Sequence, residues 1–564
     1  MKTQTIKVET KTGGVETLTD KHYKAAGGQG VVYCKGNTAY KIYHDPKKMI
    51  PVAKIHELSQ INQDHVLGPI EPIFKVGTKT PIGFTMKYVD NTEFLCKIFT
   101  RNYRDAQGVS PTDIADLVTM MQKTLIHIHP LDILVVDYNE MNFLFSKDLS
   151  GVYHIDVDAW QTKSFPADAI MASIKDPLVK ANQFTRLSDW FSWAIVTFQM
   201  YIGIHPYKGR HPDFSPKDWV QRMKQGISVF DKDVSLPGAC QDFSVIPKNH
   251  LNWYKSIFVG NDRSIPPFAD ALAISMAIVR TVTGKGDFTV KLLTEFKDTI
   301  KDIYYIDNER YVITNGGIYG DTDQPIIDFK KSADKVNFQM CEVNGERPLH
   351  AYHDGDKVNF FNFKKEPIST ANAEAMLEHD GLIYTVNNDK LVEHRFEKFG
   401  KLLHTKKVVG SVTPSYKVYN NVVVQDDFMK CRILIPFARG KCVNKHIQEI
   451  DGKRVIDAKH NGGICVIMTE HQGEYKRFIL QFNENYSEYR IKEEEVNSLY
   501  SINFVVLPNG MCLNVDDEKL SLFKQVEQRK EITIFPFDVS MRLFNENMKV
   551  LFVDNNKLYS VTMK

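Results

Sequence analysis

Apolar and polar residues follow two different patterns along the chain, and the pattern changes near residue 298. In the first part, Pro111 to His129 has apolar residues at every third or fourth position, and Ser188 to Tyr207 is largely apolar. The first stretch predicts an amphipathic helix and the second a buried helix. In the second part, short apolar runs alternate with polar turns, which predicts β-strands. The sequence therefore predicts a multidomain protein with an α+β first part and an all-β second part.

The strands of the second part recur at a nearly constant interval. Polar turns followed by an apolar run begin at Asp380, Asn420, Asn461 and Asn509. A period of about 40 to 45 residues with several strands in each unit is typical of β-propeller blades. Residues 299–564 are therefore predicted to form a propeller of six or seven blades. A pair of β-sandwich domains is the alternative, because single strand-turn-strand units look alike.

The composition indicates a globular protein whose net charge does not favour binding to a polyanion. The 564 residues are 43% hydrophobic and 11% aromatic, enough to build a core in each of two or three domains. Lys and Arg (71) nearly balance Asp and Glu (69), for a formal net charge of +2, so nucleic acid is not an expected partner. The sequence shows no leader and no apolar run long enough to span a bilayer, so no membrane association is expected.

The eight cysteines lie far apart and lack the spacing of a zinc site. They are expected to be reduced thiols, which predicts a cytoplasmic protein.

Polar residues with metal-binding chemistry follow two apolar runs between residues 134 and 161. Asp137 and Asn142 follow the first run, and Asp156 and Asp158 follow the second. Carboxylate and amide oxygens at the ends of strands can hold Mg²⁺ and a hydroxyl group. Turn formation is the plain alternative for either pair taken alone.

The spacing Asp-x-x-x-x-Asn before three apolar residues, with Ile-Asp after a turn, resembles the catalytic and metal-binding loops of protein kinases. This resemblance implies that Asp137 accepts the proton of the attacking hydroxyl and that Asn142 and Asp156 bind Mg²⁺ with ATP. Asp158 would add a metal ligand or cap the turn, and Leu144 would form the floor under the adenine. Ile155 to Gln161 is similar to a bacterial and phage branch of divergent Ser/Thr kinases.

Residues 21–43 resemble the nucleotide lid of the same family, with a strand, a glycine turn and two further strands. Backbone amides at Gly27, Gly28 and Gly30 could approach phosphates because no Cβ obstructs them. Val32 would cover the adenine ring.

The strand that ends this segment resembles the one that carries the nucleotide-binding lysine. Lys41 in the run Ala39 to Ile42 would bind the α- and β-phosphates, and Met86 would be the gatekeeper beside the adenine. Glu57, the single acidic residue of the predicted helix near residues 51–61, would pair with Lys41. A solvated helix face is an equally good account of Glu57.

Two later segments extend the resemblance into the second lobe of a kinase. The helix that begins at Ser188 carries Asp189, which in the family ties down the backbone of the catalytic loop. Arg263 is similar to the late arginine that closes this lobe. Four segments depart from the family. They are Val135-Val136 for His-Arg, Asn139 for a lysine, Val157-Asp158 for Phe-Gly, and Asp176-Pro177-Leu178 for Ala-Pro-Glu.

Together these motifs predict a bilobal protein-kinase-like domain followed by a β-propeller-like domain. The predicted boundaries are an N-terminal strand or extension at 1–20, an N-lobe at 21–90, a C-lobe at 91–298 and the propeller at 299–564. We expect a Ser/Thr-type protein kinase that uses ATP and Mg²⁺ and recruits a protein partner through the propeller. A pseudokinase scaffold that binds nucleotide without phosphotransfer is the alternative, and phosphorylation of a small molecule is disfavoured by the helix at Ser188.

Overall fold

Two compact units make up the computed structural model, which describes residues 5–167, 170–180, 183–269, 282–329, 337–344, 346–471, 473–496, 499–516 and 519–563. The first unit contains most of the chain up to Ile278, and the second contains most of the chain from Val279. Antiparallel strands predominate and helices are few. The multidomain architecture expected from the sequence is therefore confirmed.

A seven-stranded antiparallel sheet opens the first unit. Its strands are β1 (Thr5–Thr10), β2 (Val15–Thr19), β3 (Tyr23–Ala26), β4 (Gly30–Lys35), β5 (Thr38–Tyr43), β6 (Glu71–Lys75) and β7 (Pro81–Lys87). Their spatial order is β2-β1-β6-β7-β5-β4-β3. Strands β1 and β2 pair with each other, and β1 also pairs with β6. Residues 5–19 therefore supply an edge hairpin of this sheet, within the segment 1–20 for which the sequence predicted an N-terminal strand or extension.

Helices follow the sheet and form most of the remaining first unit. The α-helices of the described residues are α1 (Val52–Leu58), α2 (Arg101–Gln107), α3 (Pro111–Ile128), α4 (Arg186–Ile202), α5 (Trp219–Gln225) and α6 (Lys248–Phe258). Short 3-10 helices span Asp20–His22, Pro46–Lys48, Leu95–Phe99, His129–Leu131, Glu140–Asn142, Val157–Ala159, Pro216–Asp218, Phe243–Val245 and Gln448–Ile450. None of the helices in these ranges is long and apolar enough to cross a membrane.

The two helices predicted from apolar periodicity are confirmed. Helix α3 begins with a capping box between Ser110 and Asp113 and buries its apolar stripe. Helix α4 begins with the same device at Thr185 and Ser188, and nearly all of its side chains are buried. It ends at Gly203, whose φ of 89° favours glycine, and an added Cβ there would lie 2.7 Å from the carbonyl oxygen of Phe99.

A three-stranded sheet lies between helices α1 and α4 in sequence. Its strands are β8 (Thr92–Phe94), β9 (Phe143–Ser146) and β10 (Val152–His154), and β9 is central. The loop that carries Asp137 and Asn142 leads into β9, and the loop that carries Asp156 and Asp158 follows β10. The sheet therefore holds those loops side by side.

Within the described residues, the second unit contains seven small sheets, which are antiparallel except for one parallel strand pair. Their strands are β11 (Phe288–Glu295), β12 (Ile300–Ile306), β13 (Glu309–Thr314), β14 (Gly317–Tyr319), β15 (Pro325–Asp328), β16 (Asn337–Cys341), β17 (Val343–Asn344), β18 (Leu349–His353), β19 (Lys357–Phe361), β20 (Pro367–Asn372), β21 (Ala375–His379), β22 (Leu382–Asn387), β23 (Lys390–Phe399), β24 (Lys401–Ser411), β25 (Tyr416–Tyr419), β26 (Val422–Asp427), β27 (Lys430–Phe437), β28 (Lys441–His446), β29 (Arg454–Asn461), β30 (Ile464–His471), β31 (Glu474–Phe482), β32 (Tyr489–Val496), β33 (Asn503–Val506), β34 (Cys512–Val515), β35 (Leu520–Phe523), β36 (Lys530–Ile532), β37 (Arg542–Glu546), β38 (Lys549–Asp554) and β39 (Lys557–Met563). The predicted all-β second part is confirmed.

Strands that are consecutive in the chain share a sheet in this unit, with two exceptions, β17 and β11. Four sheets use four consecutive strands each, namely β12–β15, β25–β28, β29–β32 and β33–β36. Strands β16 and β18–β20 form another sheet, and β17 joins β21–β24, where it pairs in parallel with β23. The last sheet combines β37–β39 with β11, which pairs with β39. Because β11 begins at Phe288, the predicted domain boundary at 298 was placed too late.

Neighbouring sheets of the second unit share apolar cores. One cluster joins the sheet of β25–β28 to that of β29–β32, and five others join successive sheets in the same way. Asn503 on β33 links the remaining pair, because its amide nitrogen donates to the carbonyl oxygens of Val539 (3.3 Å) and Met541 (2.9 Å). Each sheet thus contacts the sheet on either side of it, through an apolar core or, between the sheets of β33–β36 and β37–β39, through Asn503.

The repeated turns read from the sequence connect the first and second strands of these sheets. Asp380 and Gly381 have φ angles of 49° and 75° between β21 and β22, and Gly462 and Gly463 have 52° and 79° between β29 and β30. Tight hairpins need such positive φ angles, which Gly, Asn and Asp adopt at least cost.

Candidate active site

Lys41 lies on one face of the first sheet together with three other predicted nucleotide-binding residues. Strand β5 points Ala39 and Lys41 to the same side because side chains alternate along a strand. Val32 of β4 is directly opposite Lys41, and Met86 of β7 is directly opposite Ala39. These four side chains therefore share one face, as the resemblance implied.

The ammonium group of Lys41 is buried beside Asp158 and near Asp156, the two aspartates that follow the second apolar run. Its Nζ donates to Oδ2 and Oδ1 of Asp158 at 2.7 and 2.9 Å, and Oδ1 of Asp156 lies 3.7 Å away. The hydroxyl of Tyr43 donates to Oδ2 of Asp158 at 2.7 Å. Lys41 and Asp158 are 8% and 5% exposed. The site thus joins residues 117 positions apart in the chain.

Burial and pairing act in opposite directions on these two groups. Burial alone lowers the pKa of Lys41, but the carboxylates of Asp158 and Asp156 outweigh it and hold that pKa above its ordinary value. Burial alone raises the pKa of Asp158, but Lys41 and the Tyr43 hydroxyl hold it below its ordinary value. The pair is therefore ionised at neutral pH.

Asp156 begins a tight turn that separates its carboxylate from that of Asp158. Its φ of 54° is left-handed, and the 3-10 helix Val157–Ala159 follows directly. Val157 is buried, while the side chain of Asp156 is 46% exposed. The Ile155 N–H donates to the carbonyl oxygen of Asn142 at 2.9 Å, which joins this turn to the first loop. Asp156 is therefore the carboxylate that this turn presents to solvent.

Asp189 holds the backbone of the first loop. This residue is completely buried in the first turn of α4, and it accepts hydrogen bonds from the N–H groups of Val135 (2.8 Å) and Val136 (2.9 Å). Nε2 of His129 lies 3.1 Å from the same carboxylate. Val136 has a φ of 62°, which is strained for a β-branched residue. The carboxylate therefore stabilises an unfavourable backbone conformation next to Asp137, the role that the sequence assigned to Asp189.

The carboxylate of Asp137 accepts three hydrogen bonds. The side-chain amides of Asn139 and Asn142 donate to Oδ2 at 2.9 and 3.4 Å, and the backbone N–H of Met171 donates to Oδ1 at 3.1 Å. Burial raises the pKa of Asp137, although these hydrogen bonds oppose the shift. Asn139, expected to stand in place of a family lysine, thus binds the predicted catalytic carboxylate.

The residues of the two loops fit a magnesium ion that is shared with a phosphate ligand. The Asn142 amide nitrogen donates to the Asp137 carbonyl oxygen at 2.9 Å, so its amide oxygen is the atom that it offers to a cation. In the described ranges, no group of three or more His, Cys, Asp or Glu side chains forms a complete metal site. Mg²⁺ typically takes one or two carboxylates and completes its shell with phosphate and water. Asp156 and Asn142 match that requirement.

Leu144 lies on β9, directly opposite Phe94 of β8 and Tyr153 of β10. It is half-buried at the centre of the three-stranded sheet. This placement follows from the sheet, and the adenine contact predicted for Leu144 stays a prediction.

The three predicted lid glycines have different structural roles. Gly27 and Gly28 are exposed, with open space where a Cβ would lie, but the Gly27 N–H donates to the carbonyl oxygen of Gly30 at 2.9 Å. Gly30 is buried in β4, and a Cβ there would lie 2.3 Å from the Ile42 carbonyl oxygen. Gly30 is therefore required by strand packing, and the Gly27 amide is already bound within the hairpin. The exposed amide at Gly28 keeps the predicted role.

Glu57 does not supply the partner of Lys41 in this structure. Its carboxylate accepts the backbone N–H of Ser164 at 3.3 Å, while Lys41 binds Asp158. Ile55, two residues earlier in α1, packs against Tyr43 and Phe84 on the Lys41 face of the sheet. The apolar stripe of α1 faces the sheet and turns Glu57 away. The predicted pairing of Glu57 with Lys41 was therefore wrong.

An ion pair joins Asp176, in the segment that departs from Ala-Pro-Glu, to Arg263. Asp176 binds Arg263 through two parallel hydrogen bonds of 2.7 Å, and both side chains are buried. The guanidinium also stacks on the Phe191 ring at 4.4 Å. The motif spacing did not indicate this pair, because Asp176 occupies the place of the family's alanine and Leu178 that of its glutamate.

Comparisons with known proteins do not assign this geometry to a family. No family model matches the chain, and no curated protein matches it. The function therefore has to be argued from the arrangement of these side chains.

Proposed function

We propose that the first unit is an ATP- and Mg²⁺-dependent protein kinase that phosphorylates Ser or Thr hydroxyls of a protein partner. The observation that carries the proposal is the position of the Lys41 ammonium, 2.7 Å from Asp158 and 3.7 Å from Asp156. A buried lysine on the central sheet beside an exposed aspartate at a strand-to-loop junction is the pairing that phosphoryl transfer needs. Small-molecule kinases share this pairing, and the buried helix α4 with Asp189 favours the protein kinases.

Each side chain has a defined task in the proposed reaction. Lys41 binds phosphate oxygens of the nucleotide, and Asp156 and Asn142 hold the cation, which supplies the positive charge that a transferring phosphoryl group requires. Asp137 orients the acceptor hydroxyl and takes its proton. Asp189 keeps Asp137 in place through the backbone of residues 135 and 136.

Transfer of labelled γ-phosphate from Mg²⁺-ATP tests the proposal directly. The parent protein should label itself or a generic basic protein, and Asp156→Asn should abolish labelling. Asp213→Asn, which changes an exposed aspartate of the same unit, should leave labelling unchanged. An unlabelled parent reaction, despite measurable ATP binding, would contradict the proposed phosphotransfer.

The second unit supports a second part of the proposal, a seven-bladed β-propeller that recruits the protein partner. In the described residues, seven sheets of four or five strands follow one another in chain order except for β17 and β11. Neighbouring sheets share an apolar core or a side-chain hydrogen bond, and β11 completes the sheet of the last three strands. Pairing of the first strand with the last closes a ring of blades and leaves no open end. Loops at blade edges then present a binding platform. The eight cysteines are free thiols, which favours a reducing compartment such as the cytoplasm.

One observation favours a nucleotide-binding scaffold as the second candidate. The Met171 N–H occupies Oδ1 of Asp137, and Asn139 replaces the lysine expected near the transferred phosphate. A scaffold would bind Mg²⁺-ATP without consuming it. Calorimetric ATP binding combined with the labelling assay separates the two candidates.

A further inference from the structure

The nucleotide-binding lysine has an unusual partner for a protein kinase. Kinases pair this lysine with a glutamate of the helix that follows its strand. Here the facing residue of α1 is Ile55, which is completely buried against Tyr43 and Phe84. These two rings flank the Lys41 ammonium at 5.5 and 5.7 Å. The helix therefore offers Lys41 an apolar wall.

We propose that Asp158 is the positioning residue of Lys41 and couples the phosphate-binding lysine to the metal-binding turn instead of to helix α1. This inference rests on the proposed function, because it assigns a role within the same nucleotide site. Asp158 contacts neither the substrate nor the cation in this assignment, and it acts through Lys41.

Asp158 and Asp156 have different roles in this assignment: one positions Lys41 and the other binds the cation. The sequence alone did not distinguish these roles. Asp158 is buried, and both of its oxygens face protein donors, namely Lys41 and the Tyr43 hydroxyl. Asp156 is half-exposed and only approaches Lys41. A buried carboxylate that is saturated by protein donors is a poor cation ligand, because binding would require breaking those bonds. Asp156 is therefore the carboxylate of this turn that we assign to cation binding.

This arrangement has a consequence for regulation. In a kinase that pairs its lysine with the helix, outward movement of the helix separates the pair and switches the enzyme off. Here Lys41 and Asp158 belong to a strand and to the turn that carries Asp156, so the pair contains no side chain of α1. Outward movement of α1 therefore does not by itself remove the charged partner of Lys41.

A double-mutant cycle on the full chain tests whether Asp158 acts through Lys41. Isothermal titration calorimetry would measure the affinities for Mg²⁺-ATP and for adenosine, which lacks phosphates. We expect Lys41→Met and Asp158→Asn each to weaken Mg²⁺-ATP binding by about tenfold or more and to leave adenosine binding within about twofold. In the Lys41→Met background, Asp158→Asn should add less than about twofold. Glu57→Gln is the matched control and should bind Mg²⁺-ATP like the parent.

A milder variant covers the case in which Asp158→Asn fails to fold. Tyr43→Phe removes one hydrogen bond to Asp158 and keeps the ring, so it should weaken Mg²⁺-ATP binding by about two- to fivefold, and only when Lys41 is present. An undiminished effect of Asp158→Asn, or of Tyr43→Phe, in the Lys41→Met background would overturn the inference and indicate a cation ligand. An effect of Glu57→Gln equal to that of Asp158→Asn would overturn it as well. Absence of ATP binding by the parent would overturn both the proposed function and this inference, whereas additive effects in a parent that binds ATP would overturn only the inference.

Discussion

The buried ion pair between Asp176 and Arg263 makes a quantitative prediction about the stability of the first unit. Its partners are 4% and 11% exposed, so removing either one leaves an uncompensated buried charge. Such a loss costs about 3–5 kcal/mol, and we expect this destabilisation for Asp176→Leu and for Arg263→Met. The Asp176 carboxylate also accepts the Leu178 N–H at 2.9 Å, whose loss adds about 1 kcal/mol.

The double variant distinguishes the pair from its separate contacts. With both charges replaced by apolar side chains, no buried charge remains, so the loss should be at least about 2 kcal/mol smaller than the sum of the single losses. Arg186→Met, which breaks an exposed pair with Asp132, is the control and should cost less than about 1 kcal/mol.

Tryptophan fluorescence during urea unfolding is the appropriate assay for these variants. The chain has five tryptophans, at positions 160, 190, 193, 219 and 253, and all of them belong to the first unit. The signal therefore reports on that unit alone. Single variants that lose less than about 1 kcal/mol, or a double variant that loses the full sum, would refute the reasoning.

Three further predictions concern other parts of the chain. Gly30→Ala should destabilise the first unit by about 1–3 kcal/mol because the added Cβ overlaps the Ile42 carbonyl oxygen, whereas Gly28→Ala should be tolerated because its Cβ meets open space. Equal unfolding midpoints of the two variants, followed by tryptophan fluorescence, would contradict this prediction. Burial lowers the pKa of both His154 and His205 to about 3. Each neutral side chain therefore contributes stability that is complete above the unfolded pKa of about 6.5 and falls by about 1.4 kcal/mol per pH unit as the pH decreases toward 3. Urea unfolding curves that do not change between pH 7 and pH 5 would refute this prediction. Leu558→Ala should cost the second unit about 2–5 kcal/mol because this buried side chain lies in the core between the sheet of β11 and β37–β39 and the sheet of β12–β15. Far-ultraviolet circular dichroism should show unfolding at a lower denaturant concentration, and an unchanged midpoint would contradict this.

Local sequence signals were reliable where neighbouring residues determine the structure. Helix α3 is predictable from its apolar spacing and the cap at Ser110, and the turn at Asp380-Gly381 from residues that adopt positive φ. The order of Lys41, Asp137 and Asp156 along the chain was sufficient to expect a shared site, and the structure brings Lys41 close to Asp156.

Errors arose where a residue depends on a partner distant in the chain. The boundary at 298 excluded β11 because its partner β39 lies at the other end of the second unit. Glu57 was chosen as the single acidic residue of the predicted helix, although the phase of α1 places Ile55 against the sheet.

The amino-acid sequence by itself determined the two-part organisation, the main helices, the repeating strand turns and the set of residues available for phosphate and metal chemistry. These properties follow from local periodicity and turn preferences. Only the tertiary structure decided that Asp158 neutralises Lys41, that Asp176 neutralises Arg263 and that Gly30 serves the sheet. The physical reason is that a buried charge takes the oppositely charged group that the fold brings within hydrogen-bonding distance, and that distance is not encoded in separation along the chain.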